Sequence, residues 1–161
     1  MEPIYVRVEP PETVVAGWLL LFCLVLTVAC PASIFYGVFV QMVPSLFRKH
    51  ALKFEILCLL YIILFSIVGI LSLIAGWRLW MIKPGAVRSA RRFLWIFLLV
   101  HFAYFVSAVL LFRPTHLSTL APEIWAHVAG PIPFFFLWTS YLEHSRRVKR
   151  TYVSEFAALS G

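Results

Sequence analysis

The chain has 161 residues, of which 62% are hydrophobic and only 13% are charged, whereas a soluble domain carries about 25% charged residues. This composition excludes a water-soluble globular protein and predicts a single membrane domain over residues 1–161. The formal net charge is +7. Because the basic residues flank apolar runs, this charge favours contact with the anionic lipids of a bilayer, and no nucleic acid partner is expected.

Four apolar runs predict an all-α fold, an integral membrane four-helix bundle. The spans are expected at about residues 14–43, 56–80, 93–112 and 122–142, and a tail follows over 143–161. Each run is long enough to cross a hydrocarbon core, which takes about 20 apolar residues in a helix. The sequence therefore predicts a multi-pass membrane protein.

Prolines inside the first and fourth runs predict kinked helices. Pro31 removes a backbone hydrogen bond from the first span, so a kink or break is expected near residues 30–33. Residues 33–43 are then expected to lie along the interface or to re-enter the bilayer. The fourth run begins as a helix at Pro122 and contains Gly130-Pro131-Ile132-Pro133, so it is expected to bend as well.

The second run carries three small residues on one face: Gly69, Ser72 and Gly76. At 100° per residue they fall within roughly 60° of one another. Small residues allow the backbones of two membrane helices to approach closely. This helix-packing face contacts either another helix of the same chain, or a partner protein or second copy.

Basic residues on the connections predict the orientation. The stretch 78–92, between the second and third runs, holds five of the fourteen Lys and Arg residues. Together with the two tails it holds ten, against four on the other two connections. Because Lys and Arg resist translocation, both termini and residues 78–92 are expected on the cytoplasmic side.

His101 is the one histidine expected deep in the membrane, about 12 Å along the helix from Phe93. An ionisable group at that depth is a candidate buried polar site. The alternative is a neutral imidazole hydrogen-bonded to a neighbouring helix. His127 is expected near the outer surface, because the third and fourth spans run in opposite directions. A haem held between these two histidines therefore fits badly.

A candidate outer-face site combines His116, Glu123 and His127. The alternative for Glu123 is a carboxylate that stabilises the start of a helix. No metal site is expected, because metal binding at His101 needs a third ligand and no carboxylate lies at its depth.

The chain has three cysteines, Cys23, Cys30 and Cys58, all in apolar runs and without a Cys-x-x-Cys motif. This placement indicates buried small side chains rather than redox chemistry. Since no acid, base or metal ligands converge, the sequence predicts no enzyme and no cofactor.

The tail combines a basic cluster with an apolar line. The basic residues are Arg146, Arg147, Lys149 and Arg150, and the apolar residues are Val148, Tyr152, Phe156 and Leu159. Their spacing of three and four predicts an amphipathic helix. We expect it to lie flat at the cytoplasmic surface, bound to anionic lipid or to an acidic patch of a partner. The alternative is that the charges only enforce the orientation.

The run Tyr141…Ser145-Arg-Arg-Val-Lys-Arg-Thr-Tyr152, the Gly17-Trp18-Leu19 that opens the first span and Pro31 within it resemble a known family. It is the group of small bacterial membrane proteins called domain of unknown function 2569. The resemblance covers nearly the whole chain and implies four spans in a bacterial inner (cytoplasmic) membrane. It implies no activity and no catalytic residues.

The leading functional hypothesis is a non-enzymatic membrane protein, an accessory or assembly subunit that packs against a partner or itself. It depends on the helix-packing face, the absence of charged residues in the interior of the spans and the basic tail. The alternative is a small transporter or lipid-handling protein, because interrupted spans often line substrate sites.

Overall fold

The structure, a computed structural model, describes residues 15, 17–46, 52–112 and 122–152. Every regular element in this part of the chain is helical. Three of its helices are long and apolar enough to cross a membrane, at Trp18–Val40, Leu52–Trp80 and Ala86–Leu111. The chain therefore has the helices of a membrane protein, with three candidate spans.

We number the helices in chain order. Helix α1 covers residues 18–46; its α-helical parts are Trp18–Leu24, Cys30–Phe35 and Val43–Leu46, and its π-helical parts are Val25–Ala29 and Tyr36–Met42. The others are α2 Leu52–Trp80, α3 Ala86–Phe112, α4 Pro122–Ala129, α5 Pro131–His144 and α6 Arg146–Thr151.

Helix α1 continues through Pro31 without a break near residues 30–33, and a kink there stays a prediction. The helix widens into π-helical turns on both sides of the proline instead. In a π-helical turn each N–H bonds to the carbonyl five residues earlier, instead of four. This shift lets the helix accommodate the N–H donor that proline lacks. Residues 33–43 accordingly continue the same helix rather than turning away from it.

Helices α2 and α3 run antiparallel along their length. The ring centroids of Tyr61 and Tyr104 lie 5.3 Å apart, and those of Phe65 and His101 lie 4.7 Å apart. Residue numbers thus rise along one helix as they fall along the other. The connection at residues 81–85 is short, as expected for antiparallel neighbours.

Helix α3 is also antiparallel to α4 and α5, which follow it. Phe105 contacts Trp125 at 5.3 Å between centroids, and Trp95 contacts Phe135 at 4.6 Å. The run predicted as a fourth span thus consists of two helices that meet at Gly130. Each is shorter than a bilayer-spanning helix, so the fourth span stays a prediction.

The connection between α2 and α3 is shorter than expected, because α3 begins at Ala86 rather than at Phe93. Ala and Arg are strong helix formers, and they extend the helix into the basic stretch. Helix α2 ends in a Schellman motif, with Lys83 N–H donating to Arg78 O at 3.1 Å. Ile82 (φ 48°) takes the left-handed position that usually holds glycine, and Gly85 (φ 76°) completes the turn.

The buried side chains form two clusters at different heights of the bundle. The first lies near the turn at residues 81–85 and includes Leu19, Phe22, Leu79, Leu94, Leu142 and Val148. The second consists of Val38, Leu57, Tyr61, Phe65, Tyr104 and Ala108. The candidate functional residues lie at these two levels.

Candidate functional site

The helix-packing face of α2 lies against α1 of the same chain. A Cβ atom built on Gly76 would be 2.5 Å from Thr27 Cγ2 and 3.3 Å from the Thr27 amide nitrogen. A Cβ atom built on Gly69 would be 3.5 Å from Ile34 Cγ2, an ordinary contact distance. Because Gly69, Ser72 and Gly76 are all buried within the chain, this face is not available to a partner.

Ser72 supplies a hydrogen bond that Pro31 cannot. At the π-helical turn of α1, the Cys30 N–H donates to Val25 O. In this register the carbonyl of Leu26 would accept from residue 31, which is proline and has no N–H. The fully buried Ser72 hydroxyl donates to Leu26 O instead, at 2.6 Å. The serine of the helix-packing face therefore compensates for the proline of the first span.

His101 lies in an aromatic cluster between α2, α3 and α4, here called the histidine cluster. Its members are His101, His127, Tyr61, Phe65 and Tyr104. The His101 side chain is buried, with Nδ1 2.8 Å from Phe97 O. Because a carbonyl oxygen only accepts, Nδ1 carries a proton in this arrangement. The hydrogen bond is within α3 rather than to a neighbouring helix.

The expectation that His127 lies at a different depth from His101 is wrong. Their ring centroids are 5.5 Å apart, and Tyr104 packs on His127 at 4.6 Å. The expectation assumed that the ends of the two spans lie at equal height. His101 is about 16 Å from the end of α3, whereas His127 is about 8 Å from the start of α4. The two antiparallel helices are therefore offset along their axes.

The pair of imidazoles is enclosed by other rings. Phe65 packs on both, at 4.7 Å from His101 and 5.3 Å from His127. Within the described part of the chain, no group of three or more His, Cys, Asp and Glu side chains could hold a metal ion. What the cluster offers chemically is two adjacent imidazoles and two phenol groups inside the bundle.

The outer-face site of His116, Glu123 and His127 stays a prediction. His116 lies outside the described residues, and the structure describes only the backbone of Glu123, within α4. The three cysteines are free and buried, as expected.

Helix α6 packs onto the bundle through its apolar side. Ser145 has extended backbone geometry (φ −67°, ψ 120°), and its hydroxyl accepts a hydrogen bond from Val148 N–H. This N-cap ends α5 and redirects the chain. Val148 is fully buried, and the Tyr152 hydroxyl donates to Leu79 O at 2.8 Å.

The prediction that the apolar line of the tail enters the headgroup boundary is therefore wrong for Val148 and Tyr152. Both side chains are covered by the bundle, and Phe156 and Leu159 lie outside the described residues. An amphipathic pattern shows that one face is apolar, but it does not show whether protein or lipid covers that face.

The four basic residues of α6 point outward, on the side away from Val148. Arg146, Arg147, Lys149 and Arg150 are all exposed. The Arg147 guanidinium reaches the start of α1, with Nη1 3.3 Å from the place of a Cβ on Gly17. The start of α1, the turn at residues 81–85 and α6 thus meet at one end, here called the basic end.

At the basic end Arg91 and Glu143 form an ion pair, with Nη2 of Arg91 3.4 Å from Oε1 of Glu143. Both side chains are about two-fifths exposed, so the pair contributes only about 0–1 kcal/mol to stability. Among the described residues, the stretch 78–92 and α6 hold nine Lys and Arg side chains.

Two adjacent recesses at the basic end were missed in the sequence. The first, here called the apolar groove, has a volume of about 510 Å³; it is lined by Thr27, Leu73, Ile74, Trp77, Arg78 and Lys83. The second, the arginine pocket, has a volume of about 200 Å³ and is lined by Arg78, Gly85, Arg88, Ser89 and Arg92. The groove residues of α2 recur at i, i+1, i+4 and i+5, so the sequence places them on one face of the helix. The sequence does not show that Arg78 lies close to α3, because that depends on the conformation of the turn.

Comparison of the chain with family models, curated proteins and solved structures finds no match. The resemblance to domain of unknown function 2569 therefore stays a prediction, and the function has to be argued from the geometry.

Proposed function

We propose that this chain is a non-enzymatic accessory subunit of a bacterial inner membrane, with four spans and both termini in the cytoplasm. In this proposal its role is to hold a fixed basic face at the membrane surface, where an acidic patch of a partner protein binds. The contact residues are Arg146 and Lys149 on α6, supported by Arg147 and Arg150.

The observation that carries the proposal is the packing of α6. Val148 and Tyr152 are 0% and 3% exposed, and the Tyr152 hydroxyl is bonded to the end of α2. Charges that only enforced orientation would act equally well on a loose tail. A helix whose apolar side is buried presents its charges in a fixed arrangement, which favours specific recognition over general attraction.

The same packing favours a protein over a lipid surface at this helix. Stable binding of an amphipathic helix to a bilayer requires apolar side chains that enter the headgroup boundary. In α6 the apolar residue Val148 is already covered by the bundle. The outward side offers only basic residues, whose long-range charge attracts and orients an acidic partner.

The geometry favours a foreign partner over a second copy. The small-residue face, which suggested self-association, is buried against α1. Two copies that met through the basic end would also bring like charges together, which is unfavourable. We therefore propose a hetero-complex.

Purification from native membranes of the source bacterium tests the proposal. The full chain is compared with the double variant Arg146→Gln/Lys149→Gln and with the control Lys53→Gln, whose charge lies on the first turn of α2 at the opposite end. We expect a stoichiometric foreign chain with the parent protein and the control, and its loss from the double variant. A partner retained equally by all three, or a chain that always purifies alone, would contradict the proposal.

A second candidate function, a small transporter or lipid-handling protein, is favoured by the apolar groove beside Trp77. In the same purification, this function predicts that the protein is isolated without a partner and carries bound lipid.

A further inference from the structure

We infer that the apolar groove and the arginine pocket together bind one anionic phospholipid, with its phosphate at the arginines and an acyl chain in the groove. This lipid site is separate from the partner contact proposed for α6, because Arg146 and Lys149 line neither recess.

The two recesses share one side chain, Arg78. Its Nη2 donates to Pro84 O at 3.0 Å, which holds the guanidinium over the turn. Gly85 makes this position accessible, since the place of its missing Cβ is only 3.3 Å from Arg78 Nη2. A guanidinium has five N–H donors, so Arg78 keeps donors for a ligand after bonding to Pro84.

The arginine pocket has the chemistry of a phosphate site. Arg88, Ser89 and Arg92 lie on the first two turns of α3 and face Arg78 across the turn. Guanidinium groups bind phosphate oxygens through charge-assisted and often bidentate hydrogen bonds. Among the described residues, no carboxylate lines the pocket. Its volume of about 200 Å³ leaves room for a partly hydrated phosphate, since a cavity holds one water once it has about 10–15 Å³.

The apolar groove indicates that the rest of the ligand is an apolar chain. Leu73, Ile74 and Trp77 line it from α2 and are 45–56% exposed, so they face the surroundings of the bundle. The groove begins on this candidate span and ends at Arg78 and Lys83. A free phosphate or a soluble phosphate ester would use only the polar half of this arrangement. A molecule with an apolar chain and a phosphate at its end fills both halves.

The basic lining of the two recesses selects an anionic headgroup. Arg78, Lys83, Arg88 and Arg92 line the combined site. A zwitterionic phospholipid would place its ammonium group among these cations, where like charges repel. Basic pockets beside membrane helices on the cytoplasmic side bind anionic lipid headgroups by this mechanism. We therefore expect a preference for phosphatidylglycerol over phosphatidylcholine.

Native mass spectrometry of the full chain in detergent, titrated with each lipid, tests the inference. Two variants change the site: Arg92→Gln removes one phosphate ligand, and Ile74→Trp fills the groove while staying apolar. Two matched controls lie outside it: Lys53→Gln on the first turn of α2, and Ile70→Trp, one turn before Ile74 and outside the groove lining.

We expect the parent protein to bind one phosphatidylglycerol at least about tenfold more tightly than phosphatidylcholine. Arg92→Gln should weaken binding of phosphatidylglycerol about tenfold and leave phosphatidylcholine nearly unchanged. Ile74→Trp should weaken both lipids, and the two controls should weaken neither. If Arg92→Gln fails to fold, Arg88→Gln provides the same comparison.

Three results would overturn the inference. The first is equal binding of the two lipids by the parent protein. The second is an equal effect of site and control variants, which would mean that lipid coats the surface without a defined site. The third is displacement of phosphatidylglycerol by millimolar inorganic phosphate with no effect of Ile74→Trp, which would identify a water-soluble phosphate ligand instead.

Discussion

At the scale of single residues, the bond between Ser72 and Leu26 links two features that lie far apart in the sequence. Pro31 removes the donor that the Leu26 carbonyl would use in the π-helical register, and Ser72 replaces it at 2.6 Å. An unsatisfied carbonyl between membrane helices has no water to bond with. Ser72 is therefore required by the backbone of α1, in addition to being small.

We predict that Ser72→Ala destabilises the protein by about 0.6 kcal/mol, the average for hydrogen bonds between membrane helices, and by at most about 1.7 kcal/mol. The matched control is Ser107→Ala, because the Ser107 hydroxyl donates to Ala103 O within its own helix. Unfolding of both variants in mixed micelles measures the difference. Equal stability of the two variants would mean that the Leu26 carbonyl finds another donor.

The histidine cluster also belongs to this scale. Its two imidazoles come from helices that are distant in sequence, and Phe65 contacts both. Sequence reasoning identified His101 as the deep histidine but separated it from His127. The axial offset of two helices depends on how their side chains interdigitate, and residue counts from the span ends do not contain that information.

At the scale of helices, the contact between α1 and α2 depends on one glycine far more than on the other. We predict that Gly76→Ala destabilises the protein by about 1–3 kcal/mol, because the new methyl meets Thr27 and the backbone of α1. Gly69→Ala is the matched control. Its methyl would make only ordinary contacts, so the change should be neutral or stabilise by up to about 1 kcal/mol.

Thermal unfolding in detergent compares the two glycine variants. Equal destabilisation by Gly69→Ala and Gly76→Ala would mean that the backbones of α1 and α2 approach equally closely at both positions. That result would contradict the difference in distance between the two glycines.

Helix periodicity and hydropathy predicted the long helices and the small-residue face. They did not predict the features that depend on contacts between helices. The spacing of Gly69, Ser72 and Gly76 requires only helical geometry, so the face was visible in the sequence. The helix that this face contacts was not visible in the sequence, because the contact with α1 depends on the Leu26 carbonyl that Pro31 leaves without a donor. The same limit applies to α6, whose apolar residues are covered by protein rather than lipid.

At the scale of the whole molecule, the two levels of the bundle differ in chemistry. The basic end gathers the start of α1, the turn at residues 81–85 and α6, with the arginine pocket beside them. The histidine cluster lies at the other level, where Tyr61 and Tyr104 pack. Both proposed binding surfaces therefore depend on which side of the membrane the basic end faces.

We predict that the basic end faces the cytoplasm, because Lys and Arg resist translocation. Single cysteines at position 89, in the arginine pocket, and at position 118, outside the described residues, test it in intact cells. The native Cys23, Cys30 and Cys58 are buried, so a membrane-impermeant maleimide reports mainly on the introduced thiol. Ser118→Cys should be labelled at once, whereas Ser89→Cys should react only after the membrane is permeabilised. Labelling of Ser89→Cys from outside would invert the orientation and place the partner contact and the lipid site on the opposite surface.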